Sequence, residues 1–163
     1  MALSKIQSES INLADDFAGM HFGGTGTANE FDDYETGTWT PALDSNSSKP
    51  ATLVTGNGNY TKIGELVFLQ CQISNVNSAG YSGQAIISGM PFLPSETVAC
   101  GNQMLYRGFD IDAGCKSITP YIAAPYDQIK FYQTRDVTTW TPVIHNATSA
   151  VYVWLSVVYR TTA

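Results

Sequence analysis

Charge is scarce in this 163-residue chain: Asp, Glu, Lys and Arg make up 13% of it, with a net balance of −6. Helices that face water need a polar stripe opposite an apolar one, and no window sustains that spacing, so a helical architecture is not expected. The eight Lys and Arg are scattered along the chain. Phosphate neutralisation needs clustered cations, which argues against nucleic acid as a partner. The two histidines, His21 and His145, do not stand at metal-ligand spacing from a cysteine. Cys71, Cys100 and Cys115 form no C-x-x-C pair and are odd in number, which argues against a disulfide framework. No apolar run approaches the ~20 residues of a membrane span, and no basic stretch followed by an apolar core opens the chain. The expectation is a protein made in a cytoplasm without a secretion signal and without membrane insertion. H-E-x-x-H, G-x-S-x-G, P-loop and dinucleotide glycine patterns are all missing, so no catalytic residue, cofactor or metal is expected.

What the chain does have is Ser, Thr, Asn, Gly and aromatic residues, a mixture that builds short strands and turns. Its length suits one domain. About eight strand candidates read off the pattern. The first is a short edge strand at Thr38–Thr40, ended by Pro41. A long strand follows from Tyr60 to Ile73 after a turn at Gly56–Asn59, with a bend allowed at Lys62–Gly64. Ala85–Ser88 leads into a Pro-bounded corner at Gly89–Pro94, and the run Ala150–Arg160 is the most apolar of all. These predict an all-β fold, an antiparallel β-sandwich or jelly-roll-like domain over 31–163. Trp39 is the expected anchor of the first strand, since a buried indole removes roughly 150–250 Å² from water. Phe92 is expected to plug the core at the corner, and Cys71 to be a small buried residue among Val67, Leu69 and Ile73. Leu66 and Phe68 share a face with Gln70 and Gln72, so the long strand is apolar on both sides near its start. Such a strand needs cover on both, from a second sheet or a neighbouring subunit. Residues 1–30 are sparser, with Leu3, Ile6, Ile11, Leu13 and Phe17 among polar residues and then a Gly-rich run, and read as an extended N-terminal arm for attachment or oligomerisation.

Four stretches occur in order: FDDYETGTWTPAL from Phe31, GNGNYTKIGELVFLQCQI from Gly56, ISGMPFLPS from Ile87, and YRT at Tyr159–Thr161. As a set they resemble the β-rich distal domain of tail-fibre and related virion proteins of tailed bacteriophages. The resemblance implies a virion structural or receptor-binding role, location on the virion, a homotrimer with interlaced arms, and contacts from the arm to other virion proteins. It implies no catalytic site.

The remaining functional signal is aromatic. Tyr and Trp rings stack on sugar faces, while Asn, Asp and Gln orient hydroxyls. Tyr81, Tyr121, Tyr126, Trp140 and His145 fall in or beside predicted loops and are the receptor-binding candidates, with a host-surface glycan or envelope protein as partner. Asp32, Asp33 and Glu35 read as a solvated acidic linker rather than a glycosidase pair or Ca²⁺ site, and Asp110–Gly114 as a turn rather than a Ca²⁺ loop. A short tail fibre or fibre tip is thus expected. A decoration or adaptor subunit and a polysaccharide depolymerase are the alternatives.

Overall fold

The computed structural model describes residues 20–21, 30–31, 33–99, 104–136, 138–146 and 150–162. All of its regular structure is strand. β1 (Met20–His21) and β2 (Glu30–Phe31) pair antiparallel with each other. β3 (Tyr34–Trp39), β5 (Asn57–Ile63), β6 (Leu66–Asn77), β15 (Ala150–Arg160) and β9 (Met104–Arg107) form a five-stranded sheet in that order. β4 (Ala42–Ser45), β7 (Ala85–Ser88), β12 (Gln128–Arg135), β11 (Ser117–Ile122) and β8 (Val98–Ala99) run in order through a second sheet, to which β13 (Thr138–Pro142) adds on β12. β10 (Phe109–Asp110) and β14 (Ile144–His145) make a small two-stranded link. All pairings between these strands are antiparallel.

Period-two alternation decides which face of each strand is buried. Val67, Leu69, Cys71 and Ile73 of β6 and Val151, Val153, Leu155, Val157 and Tyr159 of β15 point inward. Leu43, Ala85, Ile87, Ile122, Ile129 and Phe131 point inward from the other sheet, and the two sets make one core. The result is the all-β antiparallel sandwich. Each fully buried aliphatic side chain in it contributes about 1.5–3 kcal/mol. Burial pushes the Cys71 thiol up to about 12, so it packs as an apolar group.

The four sequence stretches meet at one end of the core. β3 and β5 are hydrogen-bonded partners with Gly37 opposite Tyr60 and Trp39 opposite Gly58. A Cβ on Gly58 would lie 2.2 Å from the Trp39 Nε1, and one on Gly37 would lie 2.6 Å from the Tyr60 hydroxyl. Each glycine therefore leaves room for the aromatic across from it. The buried Trp39 indole donates to the Gln70 carbonyl at 3.0 Å. Phe92 is half-buried, packs edge-on to Tyr60 at 5.1 Å, and accepts the Tyr159 hydroxyl at its carbonyl. Thr161 Oγ1 donates to the Leu93 carbonyl at 2.8 Å.

Several expectations are corrected. The strand expected over Tyr60–Ile73 is two strands of a hairpin, because Gly64 at φ +55° turns the chain between β5 and β6. The turn expected at Gly56–Asn59 gives way to strand from Asn57, since Gly58 sits under Trp39 in the ladder. Asp44 and Ser45 belong to β4. Asp33 is half-exposed, as an acidic linker would be, but it is not a free carboxylate: it pairs with Lys62, which points inward and is buried. Glu35 accepts the Tyr60 hydroxyl. Asp32 and most of residues 1–30 lie outside the described residues, as does the side chain of His21.

Candidate functional site

The outer face of the six-stranded sheet carries the alternate residues of β11 and β12. Ile129, Phe131 and Gln133 of β12 are buried, which turns Lys130, Tyr132 and Thr134 outward. Across the ladder Thr119 faces Tyr132 and Tyr121 faces Lys130. β13 joins β12 through an irregular register between Gln133 and Arg135, and sets Trp140 on the exposed side beside Thr134. Thr119, Tyr121, Tyr132, Thr134 and Trp140 thereby line one cleft of about 240 Å³. Its walls are mostly apolar. Tyr121 and Tyr132 meet edge to face, 5.2 Å apart at 79°, an arrangement that fixes both rings. Trp140 is 64% exposed. The Thr134 hydroxyl is hydrogen-bonded to that of Ser117 at 2.6 Å.

Lys130 extends this surface. Its Nζ lies 5.4 Å from the centroid of the Tyr126 ring, which is itself 56% exposed. No carboxylate among the described residues pairs with it, whereas Lys49, Lys62, Lys116, Arg135 and Arg160 each have one. Cleft, Lys130 and Tyr126 thus form one aromatic surface with a single available cation at its side.

Two of the five sequence candidates are elsewhere. Tyr81 is 1% exposed, its ring 5.1 Å from that of His145, and its hydroxyl accepts the Val54 N–H at 3.3 Å. His145 is 5% exposed, lies on β14 rather than in a loop, and hydrogen-bonds through Nε2 to the Asp44 carbonyl at 2.8 Å. With Phe109 they cover one end of the core, so neither can touch a receptor. Burial holds the His145 imidazole below its usual range, against the opposing effects of the Asp44 carbonyl and carboxylate. As the neutral donor at Nε2 it leaves Nδ1 without a partner among the described residues. Burial alone would raise the Asp44 carboxyl, but Lys49, the Ser45 N–H and Ser88 together hold it below the usual value.

Sequence reasoning brought Tyr121 and Trp140 forward and missed Tyr132, Thr119, Thr134 and Lys130. The signal was present: apolar Ile129 and Phe131 alternate with Lys130 and Tyr132, which assigns the latter pair to the outer face. Asp112, at the expected turn, is held by Arg135 at 2.6 Å and Thr141 at 3.1 Å. No group of three or more metal-ligating side chains occurs among the described residues. No family model and no curated protein matches the chain.

Proposed function

We propose that this chain is a bacteriophage virion protein, a short tail fibre or fibre tip, whose β-sandwich binds a glycan of the host surface without catalysing its cleavage. The reading is supported by the ordered set of stretches resembling fibre distal domains. The observation that carries the binding part is the cleft: Tyr121, Tyr132 and Trp140 converge on an open surface, fixed by strands rather than by mobile loops. Flat amphipathic rings take the apolar face of a sugar, threonine hydroxyls bond its edges, and Lys130 offers one cation to an acidic substituent. Affinity at one such cleft is weak. Several copies on one virion raise it through effective concentration, and residues 1–30 would attach or interlace the copies, in a homotrimer on this reading.

The test is retention of the full-length protein on immobilised bacterial envelope polysaccharides, lipopolysaccharide, capsule and teichoic acid, run as a panel. Retention on at least one, lost at least about tenfold in Trp140→Ala and Tyr132→Ala, supports the reading. Failure to bind any member, or to bind whole host cells, would favour a decoration or adaptor subunit. Loss of glycan mass during incubation would favour a depolymerase.

A further inference from the structure

The outer face of the five-stranded sheet has a different character. In register across it stand Ile63 with Leu66, Thr61 with Phe68, Asn59 with Gln70 and Ser156, Asn57 with Gln72 and Trp154, and Trp154 with Leu105. Ile63, Leu66, Phe68, Trp154 and Leu105 are 38–63% exposed. Asn57, Asn59, Gln70 and Gln72 floor an open depression of about 610 Å³ between these apolar groups. None of the four carboxamides makes a side-chain hydrogen bond to another described residue. Trp154 is held in place by its Nε1, which donates to the Ser74 hydroxyl at 2.8 Å.

We propose that this face is where copies of this chain pack on one another. A small ligand would occupy the carboxamide floor and leave Leu66 and Phe68 at one end in water. A flat partner covers floor and apolar ends together, and exposed apolar area of this extent on a stable protein marks an interface. Charge selects the partner. At a net −6 the molecule repels its own copies, yet no outward position of β3, β5, β6, β15 or β9 is Asp or Glu. Glu35 is exposed but lies on the side of β3 that Trp39 turns inward, and accepts the Tyr60 hydroxyl. The outward charge on β9 is a cation, Arg107, held over the Tyr152 ring at 5.8 Å from its centroid. Glu65, in the turn between β5 and β6, is neutralised by Arg160 at 3.4 Å. This is therefore a face on which a second copy approaches at little electrostatic cost. Carboxamides suit the role because each carries donors and acceptors, so identical rows can pair with each other. The size suits it too. Twelve-residue β6 runs about 40 Å and five strands span about 19 Å, which gives several hundred Å² per copy, near the ~800 Å² per partner of a standard interface. The inference stands without the host-surface reading, since it concerns the opposite side of the sandwich.

Solution mass of the full-length chain over a concentration series tests it, alongside Phe68→Glu, Leu105→Glu and, as a control in an exposed loop, Ala51→Glu. All three side chains point outward, so unfolding midpoints should stay near the parent's. The parent and the control should associate, and each of the two face variants should raise the dissociation constant at least about 100-fold, because a carboxylate is forced into an apolar contact. A parent that is monomeric throughout overturns the proposal, and so do face variants with the parent's mass. Association gained only when the chain is started at Asp33 also overturns it, by making the N-terminal segment the occupant of the face.

Discussion

The two outer faces of the sandwich are built by the same alternation yet present opposite chemistry. Over the six-stranded sheet, charges are paired at the margins, Asp44 with Lys49, Asp112 with Arg135 and Lys116 with Asp136. The aromatic residues there gather in one small cleft. Over the five-stranded sheet, outward carboxylates are missing and large apolar side chains spread along its length. A small, mostly apolar cleft with fixed rings suits a ligand of a few sugar units. A broad surface without outward carboxylates suits a broad partner. On the proposed reading, binding and assembly are separated onto two sides of one fold, so that each can be broken alone.

The sharpest contrast in stability should be between two indoles. Trp39→Ala should cost about 3–5 kcal/mol, since it empties a buried site between Gly58 and the Gln70 carbonyl. Trp140→Ala should stay within about 0.5 kcal/mol. Denaturant midpoints check both, and similar values for the two would mean that Trp39 does not lock β3 into the core. The next effect in size separates two ion pairs. Asp33→Asn should cost about 1–3 kcal/mol, because it leaves the inward-facing Lys62 ammonium beside the Phe92 ring without its carboxylate. Asp136→Asn breaks the exposed pair with Lys116, 3.2 Å apart, and should change stability by no more than about 0.5 kcal/mol.

A smaller effect is expected from pH. The folded-state pKa of His145 lies below the ordinary value near 6.5, so the unfolded chain takes up its proton first as pH falls. Stability should therefore decline from about pH 6.5 down to the lowered folded value and then level off on account of this group. Asp44 contributes in the same direction but at lower pH. Its stabilisation is present above the unfolded value of 3.8 and disappears as pH falls through its lower folded value. Unfolding midpoints at about pH 7.5 and 5.5 for the parent and His145→Gln isolate the first effect, which lies above the Asp44 range. A parent midpoint that does not move between those values would show that His145 is not buried as a neutral ring.

Much of the fold was legible because its strongest signals are local. β7 and β15 follow from their apolar runs, and β6 from an apolar start that passes into alternation at Gln70–Ile73, while Gly64 concealed the hairpin because glycine serves a bulge as well as a turn. The quoted stretches turned out to explain the packing of one end of the core: Gly37 and Gly58 make room for aromatics, and Phe92 and Leu93 supply carbonyls that receive Tyr159 and Thr161. The candidate site was harder to read. Tyr81 and His145 sit in sequence among turn-forming residues, and only long-range packing buries them, His145 against a carbonyl 101 residues away. Trp140 reads in the sequence as lying in or beside a loop, because β13 pairs with β12 through an irregular register that no sequence period announces. Tyr132 was hidden for the reverse reason: it lies inside an obvious strand, where an aromatic reads as cover.

The most direct test of a binding cleft separate from the assembly face is polysaccharide or host-cell binding by full-length Trp140→Ala, measured with its solution mass. The account predicts binding weakened at least about tenfold with parental mass and midpoint. Binding equal to the parent's, at unchanged mass, would contradict it.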